Sequence, residues 1–540
     1  MKNFSRWFAR PVLPLCLSAI AALGPAEPAG AAAPPAKVQG RVFVDTNGNG
    51  MLDGGESGLA GVQVTDGIQI VTTDAQGKYE VTVADDPVLP LRATRTVSVS
   101  WPDNYWPSSR WWRRLADLPA DGRLDFALRP DEQKLPISIL HGTDPHNSMT
   151  GEFQRLCRDE VSRMGRGLKL AFITGDLGYA GEANVDADFT RVREYTEKFP
   201  VPMFHTIGNH DIVGGHSPEW NSTEIHGNGA FTKHLGPIRW SFTYAGVHFV
   251  ALEWAGRNGL LLEHGALETT SLQWLEADLA LLKKPARIYF FMHNGFDKTG
   301  RLFPLLARHK VEMFLAGHSH RNSDDVINGV PYLTTMNFSG QYKILNITEK
   351  NYQVIHRCLG CKNPGRRHRA SNASYPNTGT CRVALPNLEP RREAHASLAG
   401  RDVDKAELPV GDVKSQRLEA DIRIEPGSAK SWGLRIGPDS QGRSIELIAT
   451  TNSLRCGDLT TDPAREPGEK NDHWHLALDE GGLSVWLNEH ARFDVPYTAS
   501  SPVAVTLLAR DGSAKFTQVD VWELKPGESF RKYKEQKKYK

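Results

Sequence analysis

Residues 203–211 read Met-Phe-His-Thr-Ile-Gly-Asn-His-Asp, so a short apolar run ends in side chains that can bind metal. The same pattern occurs five times between residues 137 and 320. The five runs are followed, in order, by Asp144-Pro-His146, Gly175-Asp176, Gly208-Asn209-His210-Asp211, His293 and Gly317-His318-Ser-His320. Short apolar runs separated by stretches of helical spacing indicate the buried strands of an α/β sheet. Because ligands of such sheets gather beyond the carboxyl ends of the strands, we expect the five clusters to converge on one site.

The clusters contain more metal-binding side chains than one ion needs. A single divalent ion seldom takes more than about six ligands. Without a thiolate among them, the nitrogen and oxygen donors fit two adjacent ions that share one carboxylate. Such a mixed set accepts manganese, iron or zinc, so the sequence leaves the metal identity open. The seven candidate ligands are Asp144, His146, Asp176, Asn209, His293, His318 and His320.

Two neighbouring residues are candidate catalytic groups. A pair of ions about 4 Å apart suits phosphoryl chemistry, because the ions clamp the phosphate oxygens and lower the pKa of a bridging water. His210 is not needed as a ligand, so it can protonate the leaving group as a general acid. Asp211 can hold the His210 ring and raise its pKa. The pattern predicts hydrolysis of phosphate monoesters or diesters by a metal-bridging hydroxide, and it does not distinguish the two substrates.

The five clusters, in this order, resemble the motifs of the calcineurin-like metallophosphoesterases. Residues 237–242, 248–252 and 272–275 also resemble the connecting segments of that family. The resemblance implies a four-layer α/β/β/α sandwich with two metal ions. It further implies that Asp176 bridges the ions and that His210 is the acid. By the same resemblance the first ion is bound by Asp144, His146 and His320, and the second by Asn209, His293 and His318.

Tyr179 is a point of departure within that resemblance. Residues 175–179 also match the motif in which purple acid phosphatases bind ferric iron through a tyrosine. Those enzymes lack a histidine two residues after the first aspartate, whereas His146 is present here. We therefore expect Tyr179 not to be a metal ligand.

The remainder of the chain predicts flanking domains. Residues 1–37 combine a positive start, a short apolar stretch and small-residue cleavage sites, which predicts a signal peptide and a periplasmic or secreted protein. Alternating short strands on both sides of the metal-binding region predict two β-sandwiches. With the layers that the family resemblance implies, the expected fold class is an α/β four-layer α/β/β/α sandwich flanked by two β-sandwich domains. The predicted segments are an N-terminal prealbumin-like β-sandwich (38–132), the metallophosphoesterase domain (133–352), a linker or irregular excursion (353–400), a C-terminal β-sandwich (401–524) and a basic tail (525–540).

The N-terminal segment contains a candidate calcium loop. Oxygen side chains stand at positions 1, 3, 5, 9 and 12 of a twelve-residue stretch, with glycine at position 6, which is the spacing of a calcium loop. The segment resembles the calcium-binding prealbumin-type repeats of bacterial surface proteins. A turn rich in Asn and Gly without metal is the alternative. The candidate ligands are Asp45, Asn47, Asn49, Asp53 and Glu56.

Two further groups of residues lie outside the metal-binding clusters. In an oxidising compartment the last four cysteines could form two disulfides, with their pairing left open. Four tryptophans near the end of the N-terminal domain are predicted to pack at a domain junction, with a stacking platform for sugar as the alternative. The cysteines are Cys358, Cys361, Cys381 and Cys456, and the tryptophans are Trp101, Trp106, Trp111 and Trp112.

The net charge and the hydropathy of the chain indicate which classes of binding partner to expect. The net charge of +1 gives no overall field that indicates nucleic acid. No apolar run after the leader is long enough to span a bilayer. We expect a phosphoester substrate, with contact to glycan or the cell envelope through the β domains. The alternative function is a catalytically silent or weak surface-binding protein that uses this fold and its β domains for binding; the complete ligand set favours the enzyme.

Overall fold

The computed structural model describes residues 36–146, 167–178, 185–212, 227–253, 267–282, 286–295, 297, 300–320, 323–335, 341–349, 352–359, 378–380, 394, 396–404, 407–457, 459–461, 470–479, 482–488, 491–495, 497–524 and 533–534. Among these residues, no helix has both the length and the apolar character needed to cross a bilayer. Tyr179, Cys361, Cys381 and residues 1–35 of the predicted signal peptide lie outside the described residues.

The N-terminal domain consists of two four-stranded sheets. One sheet has the order β4-β1-β8-β6 and the other the order β3-β2-β5-β7. Their alternating valines share one buried cluster, as expected for a β-sandwich. The strands are β1 (Lys37–Val44), β2 (Gln63–Thr65), β3 (Ile70–Thr72), β4 (Lys78–Thr82), β5 (Thr96–Ser100), β6 (Tyr105–Pro107), β7 (Trp112–Arg114) and β8 (Phe126–Pro130).

The central domain alternates strands and helices. The strands that precede the five clusters are β9 (Ile137–Gly142), β10 (Leu168–Thr174), β11 (Met203–Thr206), β14 (Arg287–Phe291) and β15 (Met313–Ala316), as the apolar runs predict. The other strands are β12 (Trp240–Tyr244), β13 (Val247–Ala251), β16 (Ser323–Ile327), β17 (Val330–Thr334), β18 (Gln341–Ile347) and β19 (Tyr352–Leu359). The helices are α1 (Val185–Lys198), α2 (Gly227–His234), α3 (Thr269–Ala280) and α4 (Leu302–Arg308).

The strands of the central domain form two sheets that pack face to face. In the first sheet β9, β10 and β11 are parallel neighbours, and in the second β13, β14 and β15 are parallel neighbours. Alternate residues of each strand face opposite sides: Leu170 and Phe172 lie between the sheets, while Ala171 and Ile173 pack outward. The Phe172 ring stacks on Phe291 of the other sheet at 4.2 Å between centroids.

Helices cover the outer face of each sheet. Residues of α1 and α2 share a buried cluster with the outer face of the first sheet, and residues of α3 and α4 do so with the second. Along α3, Leu272, Leu275 and Leu279 are buried at helical spacing, which drives the helix onto the sheet. The predicted four-layer α/β/β/α sandwich is confirmed.

The C-terminal domain is also a β-sandwich, and it shares a sheet with the central domain. The strands that follow β19 are β20 (Thr378–Thr380), β21 (Ala396–Val403), β22 (Glu407–Val413), β23 (Leu418–Glu425), β24 (Ser431–Asp439), β25 (Ile445–Ala449), β26 (Leu454–Cys456), β27 (Leu459–Thr461), β28 (Asp472–Asp479), β29 (Gly482–Leu487), β30 (Ala491–Val495), β31 (Ala499–Arg510), β32 (Ala514–Glu523) and β33 (Tyr533–Lys534). Of these, β21–β32 form the sandwich, whereas β20 pairs with β19. A six-stranded sheet has the order β22-β31-β24-β25-β26-β27.

The shared sheet arises because β19 pairs antiparallel with β30, for example through Val354 and Arg492. The first sheet of the central domain therefore continues through β19-β30-β29-β28-β23-β32-β21. All of β19 except Tyr352 falls within residues 353–400, where the sequence predicts a linker or irregular excursion. Strand β33, which lies in the predicted basic tail, pairs with β16 of the central domain.

The N-terminal domain contacts the central domain through side chains. Trp101 stacks on Phe242 with 4.4 Å between ring centroids, and the rings of Trp106 and Trp111 pack edge-on against Trp101. The predicted packing of these tryptophans at a domain junction is confirmed. Buried ion pairs also connect the two domains, because Arg239 contacts Asp86 of the N-terminal domain at 2.8 Å and Glu253 of the central domain at 2.7 Å.

Cys456 is a buried free thiol. It lies at the end of β26, and burial raises its pKa to about 12. The prediction of two disulfides among the last four cysteines is therefore wrong for Cys456, because its side chain forms part of the apolar core of the C-terminal domain.

Candidate metal centre

The backbone at the strand exits is unusual. Residues other than glycine rarely adopt a positive φ, and such strained conformations persist where the surrounding structure holds them, often at functional sites. Five of the seven candidate ligands do so here. Their φ angles are 53° at Asp144, 43° at His146, 54° at Asp176, 64° at His318 and 47° at His320.

Two glycines let the exit loops approach each other closely. A Cβ at Gly208 would lie 2.3 Å from the backbone nitrogen of Asp176, and a Cβ at Gly317 would lie 1.7 Å from Thr143 Oγ1. Any larger residue would push the loops apart. The glycines beside the ligands are thus part of what brings the clusters together.

The first donor group consists of Asp144, His146, Asp176 and His320. One donor atom from each of these residues lies within 4.8 Å of every other. His320 Nε2 is 2.9 Å from Asp144 Oδ1, and His146 Nε2 is 3.8 Å from Asp176 Oδ2. Both carboxylates are buried, whereas the His320 side chain is 44% exposed. This group lies at the solvent-facing side of the centre.

The second donor group consists of Asp176, His293, His318 and Asn209. Donor atoms of the first three lie within 4.8 Å of one another. Asn209 Oδ1 joins them, 3.0 Å from His293 Nε2 and 2.9 Å from His318 Nδ1. The two groups share Asp176, and their membership coincides with the division into two ions that the family resemblance implies.

The shared Asp176 carboxylate provides a test of whether this site fits metal. Oδ1 accepts a hydrogen bond from the backbone N–H of His210 at 2.8 Å. Oδ2 is buried and receives no well-oriented hydrogen bond from the residues that the structure describes; ring nitrogens of His293 and His146 lie 3.2 and 3.8 Å away. A buried carboxylate oxygen is costly unless a donor or cation compensates it. The donors of both groups therefore fit two divalent ions.

The electrostatics of the site also favour a cation. Burial opposes protonation of His293, yet Asp176 and Asp144 raise its pKa to about 10. Burial likewise opposes ionisation of Asp176, but His293 lowers its pKa below the ordinary value. His318 behaves differently, because burial lowers its pKa to about 4 and so favours the neutral imidazole. Metal binding requires deprotonated ligands, so an ion would take the place of the positive charge that His293 otherwise carries.

Two threonines that sequence reasoning missed orient the ligands. His293 Nδ1 donates to the Thr174 carbonyl at 2.7 Å, which leaves Nε2 for a metal. The Thr143 hydroxyl lies 2.5 Å from Asp144 Oδ2, and the His318 N–H donates to the same oxygen at 2.9 Å. Thr174 is the last residue of β10 and Thr143 directly follows β9, so each stands immediately before a ligand cluster, which is a signal that the sequence does contain.

His210 and Asp211 lie in a short 3-10 turn after β11. The His210 ring packs edge-on against His146, with 4.8 Å between centroids. Both Asp211 oxygens accept backbone N–H groups, from Gly178 and Gly208, at 2.8 Å each. Burial and the Asp176 charge raise the pKa of Asp211 to about 7. Asp211 thus joins two exit loops, and its expected role in orienting the His210 ring stays a prediction.

The candidate calcium loop is closed by its own hydrogen bonds. Asp45 accepts the backbone N–H groups of Gly48 and Gly50, and the Asn47 and Asn49 amides both donate to Asp53 Oδ2. Glu56 accepts from the backbone of Thr46 and Asp53. These contacts are compatible with either a metal-free turn or a loop that rearranges around an ion, and calcium stays a prediction.

Comparisons with known proteins agree with this geometry. Residues 46–131 match the family N terminal of Calcineurin-like phosphoesterase, and residues 137–322 match the family Calcineurin-like phosphoesterase. No curated protein sequence matches the chain.

Similar solved structures share little sequence with this chain. A purple acid phosphatase from yellow lupin (Lupinus luteus) seeds is 11% identical, with a TM-score of 0.31 over 60% of this chain and 66% of its own. A putative 5'-nucleotidase from Staphylococcus aureus is 13% identical, with a TM-score of 0.28 over 40% of this chain and 52% of its own. The assignment to a family rests on the two family matches. The second match, over residues 137–322, contains all five ligand clusters. The chain belongs to the calcineurin-like phosphoesterases, whose general activity is metal-dependent hydrolysis of phosphoesters.

Proposed function

We propose that this protein is an exported phosphoesterase that uses two metal ions to hydrolyse phosphate monoesters or diesters. The observation that carries the proposal is the Asp176 carboxylate, whose buried Oδ2 lies between ring nitrogens of both donor groups. A shared carboxylate of this kind is what a dinuclear centre needs.

Each of the two proposed ions is assigned to one donor group. Asp144, His146 and His320 would hold the first ion, and Asn209, His293 and His318 the second, with Asp176 common to both. When bound, two such ions neutralise the phosphate charge and activate water as the nucleophile. Manganese, iron and zinc all accept this set of ligands.

His210 is the proposed general acid. Its backbone N–H is fixed by Asp176 Oδ1, and its ring lies against His146 of the first donor group. A ring in this position can hold a proton close to the oxygen that leaves phosphorus. Asp211 would support it indirectly, by joining the loops on either side of the turn.

The decisive experiment is an assay with p-nitrophenyl phosphate and bis-p-nitrophenyl phosphate in the presence of manganese, repeated after chelation. We expect hydrolysis of at least one ester, loss of activity on chelation and recovery when metal is restored. Asn209→Ala should abolish turnover while its melting temperature stays near that of the wild type. Absence of turnover with both esters would contradict the proposal and favour a binding role for the β domains.

Export is proposed from the leader over residues 1–37 alone. The test is expression of the full chain, cell fractionation and N-terminal sequencing of the product. We expect a shortened chain in the periplasm or the medium. An uncleaved chain in the cytoplasm would contradict export without bearing on the metal centre.

Calcium binding by the N-terminal loop is a separate proposal, carried by the spacing of its oxygen side chains. A calcium titration should raise the melting temperature of the wild type and leave that of Asp45→Ala unchanged, because Asp45 is the first predicted ligand. Equal responses in the two proteins would refute the calcium site.

A further inference from the structure

A chain of buried polar side chains lies beneath the metal centre. Lys343 on β18 and His141 on β9 face each other across paired strands, and both are fully buried. Thr335, just after β17, lies between them. Thr174, the last residue of β10, completes the chain and is also fully buried. A buried lysine is rare unless its charge is compensated, so this position calls for a reason beyond packing.

Hydrogen bonds connect these side chains from the lysine to Thr174. Lys343 Nζ donates to the Thr334 carbonyl at 2.7 Å and to Thr335 Oγ1 at 2.9 Å. Thr335 Oγ1 also lies 3.0 Å from His141 Nδ1, within hydrogen-bond distance. On the other side of the ring, His141 Nε2 lies 2.9 Å from Thr174 Oγ1.

The neutral form of His141 suits its two threonine partners. Burial lowers its pKa well below the ordinary value, and the charge of Lys343 lowers it further. A neutral imidazole has one donor and one acceptor, which is what Thr174 and Thr335 require on its two sides.

Thr174 connects the chain to both donor groups. Its carbonyl oxygen accepts the Nδ1–H of His293 at 2.7 Å and lies 2.8 Å from Thr143 Oγ1, the hydroxyl that contacts Asp144. The bridging Asp176 follows Thr174 by two residues. A shift of Thr174 would therefore disturb the hydrogen bonding of one ligand in each group, His293 in the second and Asp144 in the first.

We propose that Lys343, Thr335 and His141 are positioning residues of the metal centre, which hold Thr174 in place and thereby strengthen the binding of both ions. The inference rests on the metal centre of the proposed function but not on hydrolysis. None of the three residues would touch an ion or substrate.

The test compares metal affinity in Thr335→Val and Thr335→Ser, measured by competition with a chelator for manganese or zinc. Thr335→Val keeps the side-chain shape but removes the central hydroxyl, and we expect it to weaken binding by about 10-fold, the lower end of the effect of losing a direct partner of a metal ligand, because Thr335 acts through His141 and Thr174. Thr335→Ser retains the hydroxyl and should bind close to the wild-type affinity. Lys343→Met should resemble Thr335→Val.

Ser138→Ala is the matched control. Ser138 donates to Asn346 across the same pair of strands, at the end remote from the metal centre. Ser138→Ala should lower the melting temperature about as much as Thr335→Val does, while its metal affinity stays unchanged.

The inference is overturned if Thr335→Val binds metal as the wild type does, if Thr335→Ser is weakened as much as Thr335→Val, or if the wild type binds no ion. A wild type that binds two ions without hydrolysing any ester contradicts only the proposed function. Failure of Lys343→Met to fold leaves the threonine variants to decide.

Discussion

The two donor groups of the metal centre differ in how they are held. In the second group, His293 is fully buried, and a strand carbonyl fixes its ring. In the first group, the His320 side chain is 44% exposed and contacts Asp144 directly. His293 lies two residues after the last residue of β14, whereas His320 lies four residues beyond β15.

The difference suggests unequal metal retention. A buried ligand with an oriented ring holds its geometry before the ion arrives, whereas an exposed ring loses conformational freedom when the ion binds. Water also reaches the first group more readily. We therefore expect the first ion to exchange faster and to be removed first by a chelator.

Asp176→Asn should have the largest effect, because it removes the one carboxylate that both groups share. We expect loss of both ions and a fall in turnover of at least about 1000-fold, since each ion supplies several kcal/mol of charge stabilisation. Metal content and ester hydrolysis are the measurements. Asp278→Asn alters a buried aspartate that pairs with His248 and should retain both ions. Retention of two ions by Asp176→Asn would show that Asp176 is not a bridge.

His293→Ala should remove the second ion selectively. The ring lies against Asn209, His318 and Asp176, so its loss takes away the centre of the second group. We expect about one ion per chain and turnover reduced by about 100-fold or more, as losses of several kcal/mol imply. His248→Ala, an equally buried histidine remote from the ligands, should bind two ions. If His293→Ala still bound two ions, the second ion would not depend on His293, and the inferred difference between the two donor groups would be wrong.

His320→Ala should weaken the first ion less severely, because water can reach the vacated position. We expect a loss of affinity comparable with the about 10- to 100-fold losses seen when partners of metal ligands are removed. A chelator titration of wild type and variant, followed by metal analysis, measures it. If the wild type loses the His293-dependent ion first, the order inferred from burial is wrong.

Thr143→Val should have the smallest effect. It removes the hydroxyl beside Asp144 Oδ2 but leaves the His318 N–H on the same oxygen. We expect about 10-fold weaker binding of the first ion, at the lower end for such partners. Thr143→Ser should bind like the wild type; equal weakening in both variants would mean that packing, not the hydroxyl, matters.

The flanking domains show where sequence patterns stop being informative. Alternation of apolar residues predicts the strands of both sandwiches, because it reports one face of each strand. It does not report which edge a strand will pair with. Strand β30 therefore continues the central sheet through β19, and no local pattern of either strand specifies that partner.

The sequence alone determined the order and identity of the ligand clusters, since short apolar runs mark buried strands and the polar residues after them must lie at their ends. Tertiary structure decided the contacts between segments distant in the chain. Lys343 reads as an ordinary polar position in an alternating strand, and only its pairing with His141 reveals that it is buried beneath the metal centre. The same holds for Asp176, whose two donor groups each combine residues that follow strands of both sheets. Such arrangements depend on which strands become neighbours, a property of the folded chain rather than of any one segment.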